Sequence, residues 1–323
     1  MPATPPGAAP TTGIRLFERE FMHLDLFTRA PFGGSRLTLF PDATGVPTPL
    51  LQAIAREMGT GETVFADPDP DGGNRGRLRI FTPKGEIPLS GLSILGATCG
   101  LAACGRVARD GGESRFHWRT EGGEFPVVLS EVDGATLYSL VHEPAEFIGQ
   151  YYQRGKVARA LGVQETDIAI TGLPCEIVSA GLPIHIVPMG SLAAVQSIRF
   201  DREAARDVAR DLGFGALFVF TCEAEGAGVD VHCRMFAQDF GIPEDAATGS
   251  AAGALIAYMI KHRLVPPQPH VRLVCEQGLE MKRPSRLYAE AEVRDGRCGE
   301  IRVGGHGVLL ARGRLRFDQG TVL

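Results

Sequence analysis

One stretch of this chain is written twice, in the same order and almost the same register. Ile54-Ala55-Arg56-Glu57-Met58-Gly59-Thr60-Gly61 returns 154 positions later as Val208-Ala209-Arg210-Asp211-Leu212-Gly213-Phe214-Gly215. Arg79-Ile80-Phe81-Thr82, followed by Ile87-Pro88, returns 155 positions later as Arg234-Met235-Phe236-Ala237, followed by Ile242-Pro243. Each Ile-Pro precedes a Gly/Ser turn and a run of small residues. The first reads Ser90-Gly91-Leu92-Ser93-Ile94-Leu95-Gly96-Ala97, the second Thr248-Gly249-Ser250-Ala251-Ala252-Gly253-Ala254-Leu255. Two ordered copies of a helix–strand–strand–turn–helix unit imply a duplicated fold with a pseudo-twofold axis.

The copies differ where chemistry would sit. Glu62 follows the first Gly-x-Gly and Ala216 stands at its counterpart; Asp245 follows the second Ile-Pro and Ser90 stands in the first. A scaffold that keeps its glycines and changes its carboxylates has made its halves chemically unequal, which points to a site between them.

Composition narrows the class. The 323 residues are 44% hydrophobic, 22% charged and 7% aromatic, with net charge −5, a globular protein of about two domains with an aliphatic core. No Lys/Arg cluster interleaved with aromatics supports nucleic-acid binding, and no apolar run reaches the roughly 20 residues that span a bilayer. Residues 1–13 are rich in Pro, Ala and Thr without an apolar core, and are expected to form a disordered tail, not a signal peptide. A cytoplasmic protein is expected. The seven cysteines are scattered with no Cys-x-x-Cys and are expected reduced and buried. The eight histidines show no ligand spacing, so no metal is expected.

The expected fold is α+β, two pseudo-symmetric halves, each a curled, mostly antiparallel sheet wrapped around a central hydrophobic helix. The first half takes residues 14–142, completed by 308–323, and the second 143–307. Strands are expected at 21–27, 36–40, 62–66, 77–82, 115–119, 125–130 and 136–141, then at 177–178, 184–187, 216–221, 229–236, 271–276, 287–293, 301–303 and 308–312, with Gly304-Gly305-His306-Gly307 as a turn. Amphipathic helices are expected at 49–58 and at 201–212, the second capped by Asp201. Helices 92–103 and 249–262 are apolar all round and belong inside the sheets.

A glycine at a helix start lets a ligand approach free N–H groups, where the helix dipole places about half a positive charge. If both central helices aim at one cleft, Gly91 and Ser93 from one side and Thr248, Gly249 and Ser250 from the other would trap a carboxylate. Taken singly each turn would be an ordinary cap; the repetition favours a shared site. Glu62 opens an apolar strand, where desolvation raises a carboxyl toward the range useful for proton transfer. Asp245 is either a second acid or a first-turn acid serving the helix dipole.

Four segments now become recognisable: Phe27-Thr28-Arg29-Ala30-Pro31-Phe32-Gly33-Gly34, Glu62-Thr63-Val64-Phe65, Gly241-Ile242-Pro243-Glu244-Asp245-Ala246-Ala247-Thr248-Gly249-Ser250-Ala251 and Gly278-Leu279-Glu280-Met281-Lys282-Arg283-Pro284-Ser285. Together they resemble the PhzF-like (phenazine biosynthesis) family of the diaminopimelate epimerase fold superfamily, over essentially residues 16–315. The resemblance implies cofactor-free proton shifting on a carboxylate substrate and a homodimer. It makes Glu62 the acid/base, Asp245 the second-half aspartate, and Gly249 and Ser250 contacts of the substrate carboxylate. Two motifs depart from it. The family's Gly-His-Pro is Gly91-Leu92-Ser93 here, so Leu92 replaces an imidazole, and its Gly-Asn-Pro is Gly34-Ser35-Arg36, which makes Ser35 a candidate substrate contact and brings Arg36 near the cleft. Two-thiol racemase chemistry is unsupported, since Leu92 and Thr248 stand where the thiols would be.

The expected function is a cofactor-independent isomerase that shifts a proton and double bond on a small amino- or imino-acid-like carboxylate, in secondary metabolism. The alternatives are an epimerase or racemase of a small acid, and a non-catalytic ligand-binding protein on the same scaffold.

Overall fold

The computed structural model describes residues 16–69, 73–108, 113–142, 144–237, 242–294 and 296–318; the tail expected over 1–13 lies outside the described residues. The duplicated glycines have a conformational reason. Helices Thr48–Met58 and Arg202–Leu212 both end on a glycine in the left-handed region, Gly59 at φ 65° and Gly213 at φ 79°. Glycine adopts that conformation without the steric penalty of a β-carbon, which stops each helix at the same place. Asp201 caps the second of these helices, accepting from the N–H groups of Glu203 and Ala204 at 2.9 and 3.1 Å. Each lies on the outer face of a sheet. Leu50, Leu51 and Ile54 pack on Phe40, Phe65 and Phe81, whereas Ala205 and Val208 pack on Val187, Leu217, Val219 and Phe236.

The sheet of the first half runs in the order Gly307–Asp318, Leu16–Leu26, Ser35–Phe40, Glu62–Pro68, Arg75–Phe81, Ser114–Thr120, Gly123–Val132, Ala135–His142. That of the second runs Glu146–Tyr151, Cys175–Ser179, Pro183–Pro188, Ala216–Thr221, Val231–Ala237, His270–Gln277, Ser285–Arg294, Arg297–Gly305. In each half the third strand is parallel to the fourth and the fifth to the sixth; the remaining neighbours are antiparallel. The edge strands are exchanged. Glu146–Tyr151 follows the first half in sequence and pairs with Cys175–Ser179, while Gly307–Asp318 follows the second and pairs with Leu16–Leu26.

The two sheets join through their last strands, Ala135–His142 and Arg297–Gly305. Leu140 faces Val127 in one half as Val303 faces Ala289 in the other, and Leu140 is paired directly with Val303. The pseudo-twofold axis therefore passes between these two residues.

Inside the sheets run the central helices, Gly91–Ala103 and Gly249–Lys261, with Ser93 to Leu101 and Ala251 to Met259 buried. Small residues let strand and helix meet closely: a β-carbon on Gly96 would run into Leu37, and one on Gly100 into Leu39. Trp118, fully buried, donates its Nε1–H to Thr98 of the first helix at 2.8 Å.

Three expectations need correcting. Gly304-Gly305-His306-Gly307 is not a turn: strand continues to Gly305 and resumes at Gly307. The glycines serve close approach, since a β-carbon on Gly305 would meet the Phe27 ring and one on Gly304 the backbone of Tyr138. All seven cysteines are free, but Cys222 is exposed and Cys104 and Cys298 are half-buried. Finally, helices Arg154–Leu161, Glu165–Ala169 and Leu192–Ser197 and strand Glu146–Tyr151 were not foreseen.

Candidate active site

Near the pseudo-twofold axis the two central helices begin. A β-carbon on Gly91 would lie 3.5 Å from Leu140, and one on Gly249 3.9 Å from Val303. Since Leu140 and Val303 are paired, the duplication brings both helix N-termini to one place.

Glu62 opens strand Glu62–Pro68, in register with Leu37; the residue is half-buried, with its carboxyl at the inner end. Its Oε2 accepts two hydroxyl hydrogens, from Ser90 Oγ at 2.6 Å and Ser93 Oγ at 2.5 Å. Ser90 is also the N-cap of the first central helix, its oxygen accepting the Ser93 N–H at 3.3 Å. Just upstream, the Thr60 hydroxyl donates to the Glu62 carbonyl at 2.8 Å and holds the strand start.

Asp245 ends the short strand Ile242–Asp245 of the second half. Its Oδ2 accepts from Thr248 Oγ1 at 2.7 Å, and its Oδ1 from the Ala247 N–H at 3.4 Å and from Ser35 Oγ at 3.5 Å. Ser35 belongs to the first half, so this bond crosses between halves. The buried Gln277 pins the turn: its Nε2 donates to the Asp245 carbonyl at 2.7 Å and to Thr248 Oγ1 at 3.1 Å, and its Oε1 accepts the Thr248 N–H at 3.2 Å.

Burial pushes the Glu62 carboxyl above the usual range; the Ser90 and Ser93 hydrogen bonds pull it back, and the Asp245 charge pushes it up again. Each acid is bonded to the residue that opens a central helix, Ser90 or Thr248, and these helix starts meet at the Leu140–Val303 pair, which puts both carboxyls in one site. Burial also raises Asp245, opposed chiefly by its bond from Thr248. Carboxyls raised in this way are suited to exchange protons near neutral pH.

The helix ends are unequal. Ser90 caps the first, but the Thr248 hydroxyl is turned to Asp245 and the second helix has no side-chain cap. The first N–H groups of Gly249–Lys261 therefore keep their donors for a ligand, with the positive end of the helix dipole behind them.

Ser35 is set by a clamp between the halves. Arg283 donates to the carbonyls of Gly34 at 2.7 Å and Gly33 at 2.6 Å, and to Asp25 Oδ1 at 2.7 Å. Asp25, fully buried, also accepts the Phe32 N–H at 2.9 Å. Removing one partner of such a buried pair typically costs about 3–5 kcal/mol.

Of the expected site residues, Glu62, Gly91, Ser93, Ser35, Asp245, Thr248, Gly249 and Ser250 fall at these helix starts and their carboxylates, and Leu92 lies half-buried against the core beside them. Two expectations are corrected. Ser93 is not available to a ligand: its side chain is buried and its hydrogen is given to Glu62. Arg36 does not charge the cleft, because alternation along Ser35–Phe40 turns it away from Ser35 to face Asp25 at 3.5 Å. Sequence reasoning missed Ser90 as a partner of Glu62, for which the Ser-x-x-Ser cap spacing was the available signal. It also missed Gln277 and Asp25, which carry no local signal.

Among the described residues no group of three or more His, Cys, Asp or Glu is placed to hold a metal ion. Two surface hollows of about 180 and 280 Å³ lie elsewhere, one beside Arg202, Arg206 and Phe214, the other beside Arg272, Glu290 and Arg302. Neither contains a carboxylate pair with hydroxyl donors, so the chemistry, not the hollow, marks the site. No helix among the described residues is long and apolar enough to cross a membrane.

The family model described as phenazine biosynthesis-like protein matches residues 24–313. An uncharacterized isomerase from Mesorhizobium japonicum is 33% identical over 302 residues, covering 92% of this chain and 98% of its own length. A trans-2,3-dihydro-3-hydroxyanthranilate isomerase from Pseudomonas aeruginosa is 32% identical over 296 residues, covering 91% and 98%. Among solved structures, a phenazine biosynthesis protein of the PhzF family from Bacillus anthracis superposes with a TM-score of 0.84 over 93% of this chain and 99% of its own, at 23% identity.

Proposed function

Given that the chain belongs to the phenazine biosynthesis-like family, whose relatives include named isomerases, we propose that it is a cofactor-independent isomerase acting at the Glu62–Asp245 site. Glu62 takes a proton from a carbon next to an unsaturated or carbonyl-bearing group. The electron pair shifts through the substrate, the double bond moves, and the Glu62 proton returns to another carbon. The step is redox-neutral, so it asks no electron carrier of the protein. The substrate carboxylate lies against the open N–H groups of Gly249 and Ser250, which also stabilise charge that develops as the proton leaves. Asp245 orients Thr248 and Ser35 and supplies the second acid of the site.

The observation that carries this reading is the convergence of a raised carboxyl, Glu62, with an uncapped helix end, Gly249–Ser250, across the duplication axis. A proton-transfer base and an anion seat are what a carboxylate isomerase requires. The substrate we propose is a small, unsaturated amino- or imino-acid-like carboxylate of secondary metabolism. The test is incubation in D2O with trans-2,3-dihydro-3-hydroxyanthranilate and with a panel of small unsaturated amino acids. Deuterium entering a carbon position supports the reading; no incorporation into any of them sinks it and leaves a ligand-binding protein.

One observation favours an epimerase as second reading: Asp245 is an acid contributed by the opposite half. Retained constitution with loss of optical activity would select it over double-bond migration. We further propose a cytoplasmic homodimer, the assembly being checked by sedimentation of the full chain.

A further inference from the structure

Glu62 receives its two hydroxyl hydrogens on the same oxygen. Ser90 Oγ and Ser93 Oγ both donate to Oε2, at 2.6 and 2.5 Å, whereas no described residue donates to Oε1. The donors are themselves fixed. Ser90 accepts the Ser93 N–H through its oxygen, so its hydrogen is directed away from the helix and toward the carboxylate. Ser93, in the first turn of that helix, is fully buried and has no solvent to turn to. The two serines are thus one device: a helix start whose cap and first turn grip a single carboxylate oxygen.

We infer that Ser90 and Ser93 are positioning residues that give the two oxygens of Glu62 different tasks, Oε2 holding charge and Oε1 receiving and returning the proton; this rests on the isomerase reading above. When Oε1 takes the substrate proton, its lone pair forms the new O–H bond and the C–H pair passes into the substrate. Oε2 becomes the carbonyl oxygen of the acid and still accepts both hydroxyls. When the proton returns to carbon, Oε2 recovers its share of the negative charge, and neither serine moves or exchanges a proton. The grip stabilises the ionised acid against the desolvation around it, which keeps Glu62 a base despite its burial. It also restricts rotation of the carboxyl, so that one oxygen faces the substrate carbon throughout.

The asymmetry of the repeat supports this assignment. Thr248 is the counterpart of Ser90, 158 positions on, and also gives its hydroxyl to a carboxylate, but the counterpart of Ser93 is Ala251. The second helix carries its hydroxyl at Ser250 instead, one position earlier, and among the described residues only Glu62 takes two hydroxyls on one carboxylate oxygen.

The test uses the full chain, ¹³C-labelled at glutamate carboxyls, with the Glu62 resonance assigned through Glu62→Gln. Ser93→Ala and Ser90→Ala are each expected to shift the Glu62 titration midpoint upward and to lower the rate of deuterium incorporation about tenfold or more, the loss of one hydrogen bond to a charged group. Ser90→Thr, which keeps the hydroxyl donor to Glu62 as Thr248 keeps one to Asp245, is expected to restore what Ser90→Ala loses. A purely structural role would lower thermal stability without moving the midpoint, and that result overturns the inference. Wild type that exchanges hydrogen alongside serine variants that match it sinks the assignment alone. Wild type that exchanges none with any probe sinks the isomerase reading, and the assignment with it.

Discussion

Ser90 and Thr248 stand at equivalent positions just before the two central helices, and each gives its hydroxyl hydrogen to a carboxylate, Glu62 at 2.6 Å and Asp245 at 2.7 Å. The acids themselves are not equivalent. Glu62 comes from a strand whose second-half counterpart is Ala216. Asp245 lies in an insertion: Ile87 and Ile242 are 155 positions apart, but Gly91 and Gly249 are 158 apart. One hydroxyl position has therefore been joined to two unrelated acids. The consequence is an unequal pair of helix ends, since Ser90 can cap while bonding Glu62, and Thr248 leaves its helix open to bond Asp245. An asymmetric substrate can be bound in one orientation only by such a site.

Glu62→Gln separates catalysis from stability. The carboxyl is raised in the fold, so its favourable contribution is present below the unfolded value of 4.5 and lost as pH rises through the folded one. At pH 7 the ionised side chain is a burden that glutamine removes. Turnover is expected to fall at least about 10²-fold, while Tm at pH 7 rises and the gain shrinks below pH 4.5. Thermal melts at the two pH values check this; a lower Tm at pH 7 would make Glu62 a structural acid.

At the open helix end, Gly249→Ala tests the anion seat. The added β-carbon meets nothing nearer than Phe27 and Val303 at 3.9 Å, so the fold accepts it. Replacing a helical glycine by alanine should stabilise by about 0.5–1 kcal/mol, yet the methyl group intrudes where a carboxylate would approach the backbone. Calorimetric titration should show weaker binding of an acidic ligand in a protein that melts higher. Ser250→Ala should weaken the same ligand about tenfold and leave its neutral amide unaffected. Equal effects on acid and amide would reduce both residues to a cap.

The duplication made most of this architecture legible. Strand Ala216–Thr221, the Asp201 cap and the start of Gly249–Lys261 follow from local pattern and its repetition. Helices Arg154–Leu161 and Glu165–Ala169 have no counterpart in the first copy, so the repeat offered no template for them. Contacts between distant segments were invisible for another reason. Arg283 reaches Asp25 across 258 positions, and neither residue carries a mark of the other. Ser93 was legible as a polar residue at a helix start, but its direction is set by the strand beneath it, which places Glu62 and not a ligand within reach.

Two buried histidines of the second half should govern stability with opposite signs. His185 has no hydrogen-bond partner on either ring nitrogen, and burial pushes it down to about 3. The fold keeps it neutral, so stability is lost as pH falls below the unfolded value of 6.5 toward 3. His232 is also buried, which alone would lower it, but bonds to Glu276 at 2.8 Å and Glu280 at 2.9 Å raise it overall. Its contribution is complete below 6.5 and lost as pH rises through the folded value. Urea unfolding should show His185→Phe gaining most at pH 5 and His232→Gln losing most at pH 6, with the His232→Gln deficit narrowing in alkali. Parallel pH dependence in the two variants would refute the assignment.

Leu92 is the position at which this chain parts from the motif it resembles, and it is the counterpart of Ser250, 158 positions on. It lies half-buried against the core, between the Ser90 and Ser93 that hold Glu62. An isobutyl group there leaves the first helix start apolar where the second has a hydroxyl residue, and it suits an apolar part of the proposed substrate, whose carboxylate would lie on Gly249 and Ser250. Leu92→His puts a polar ring into that space. Native turnover is expected to fall about tenfold, an apolar contact having been exchanged for a group to be solvated. The acid limb of the rate profile is expected to move to lower pH, because an imidazolium beside two carboxylates favours their ionised forms. Activity on trans-2,3-dihydro-3-hydroxyanthranilate is not expected to rise, since Ser35 and Arg36 also differ from the motif. Unchanged turnover and an unchanged limb would put Leu92 outside the site. Deuterium exchange appearing only in Leu92→His, from a wild type that exchanges none, would identify a decayed enzyme that now binds its ligand without turning it over.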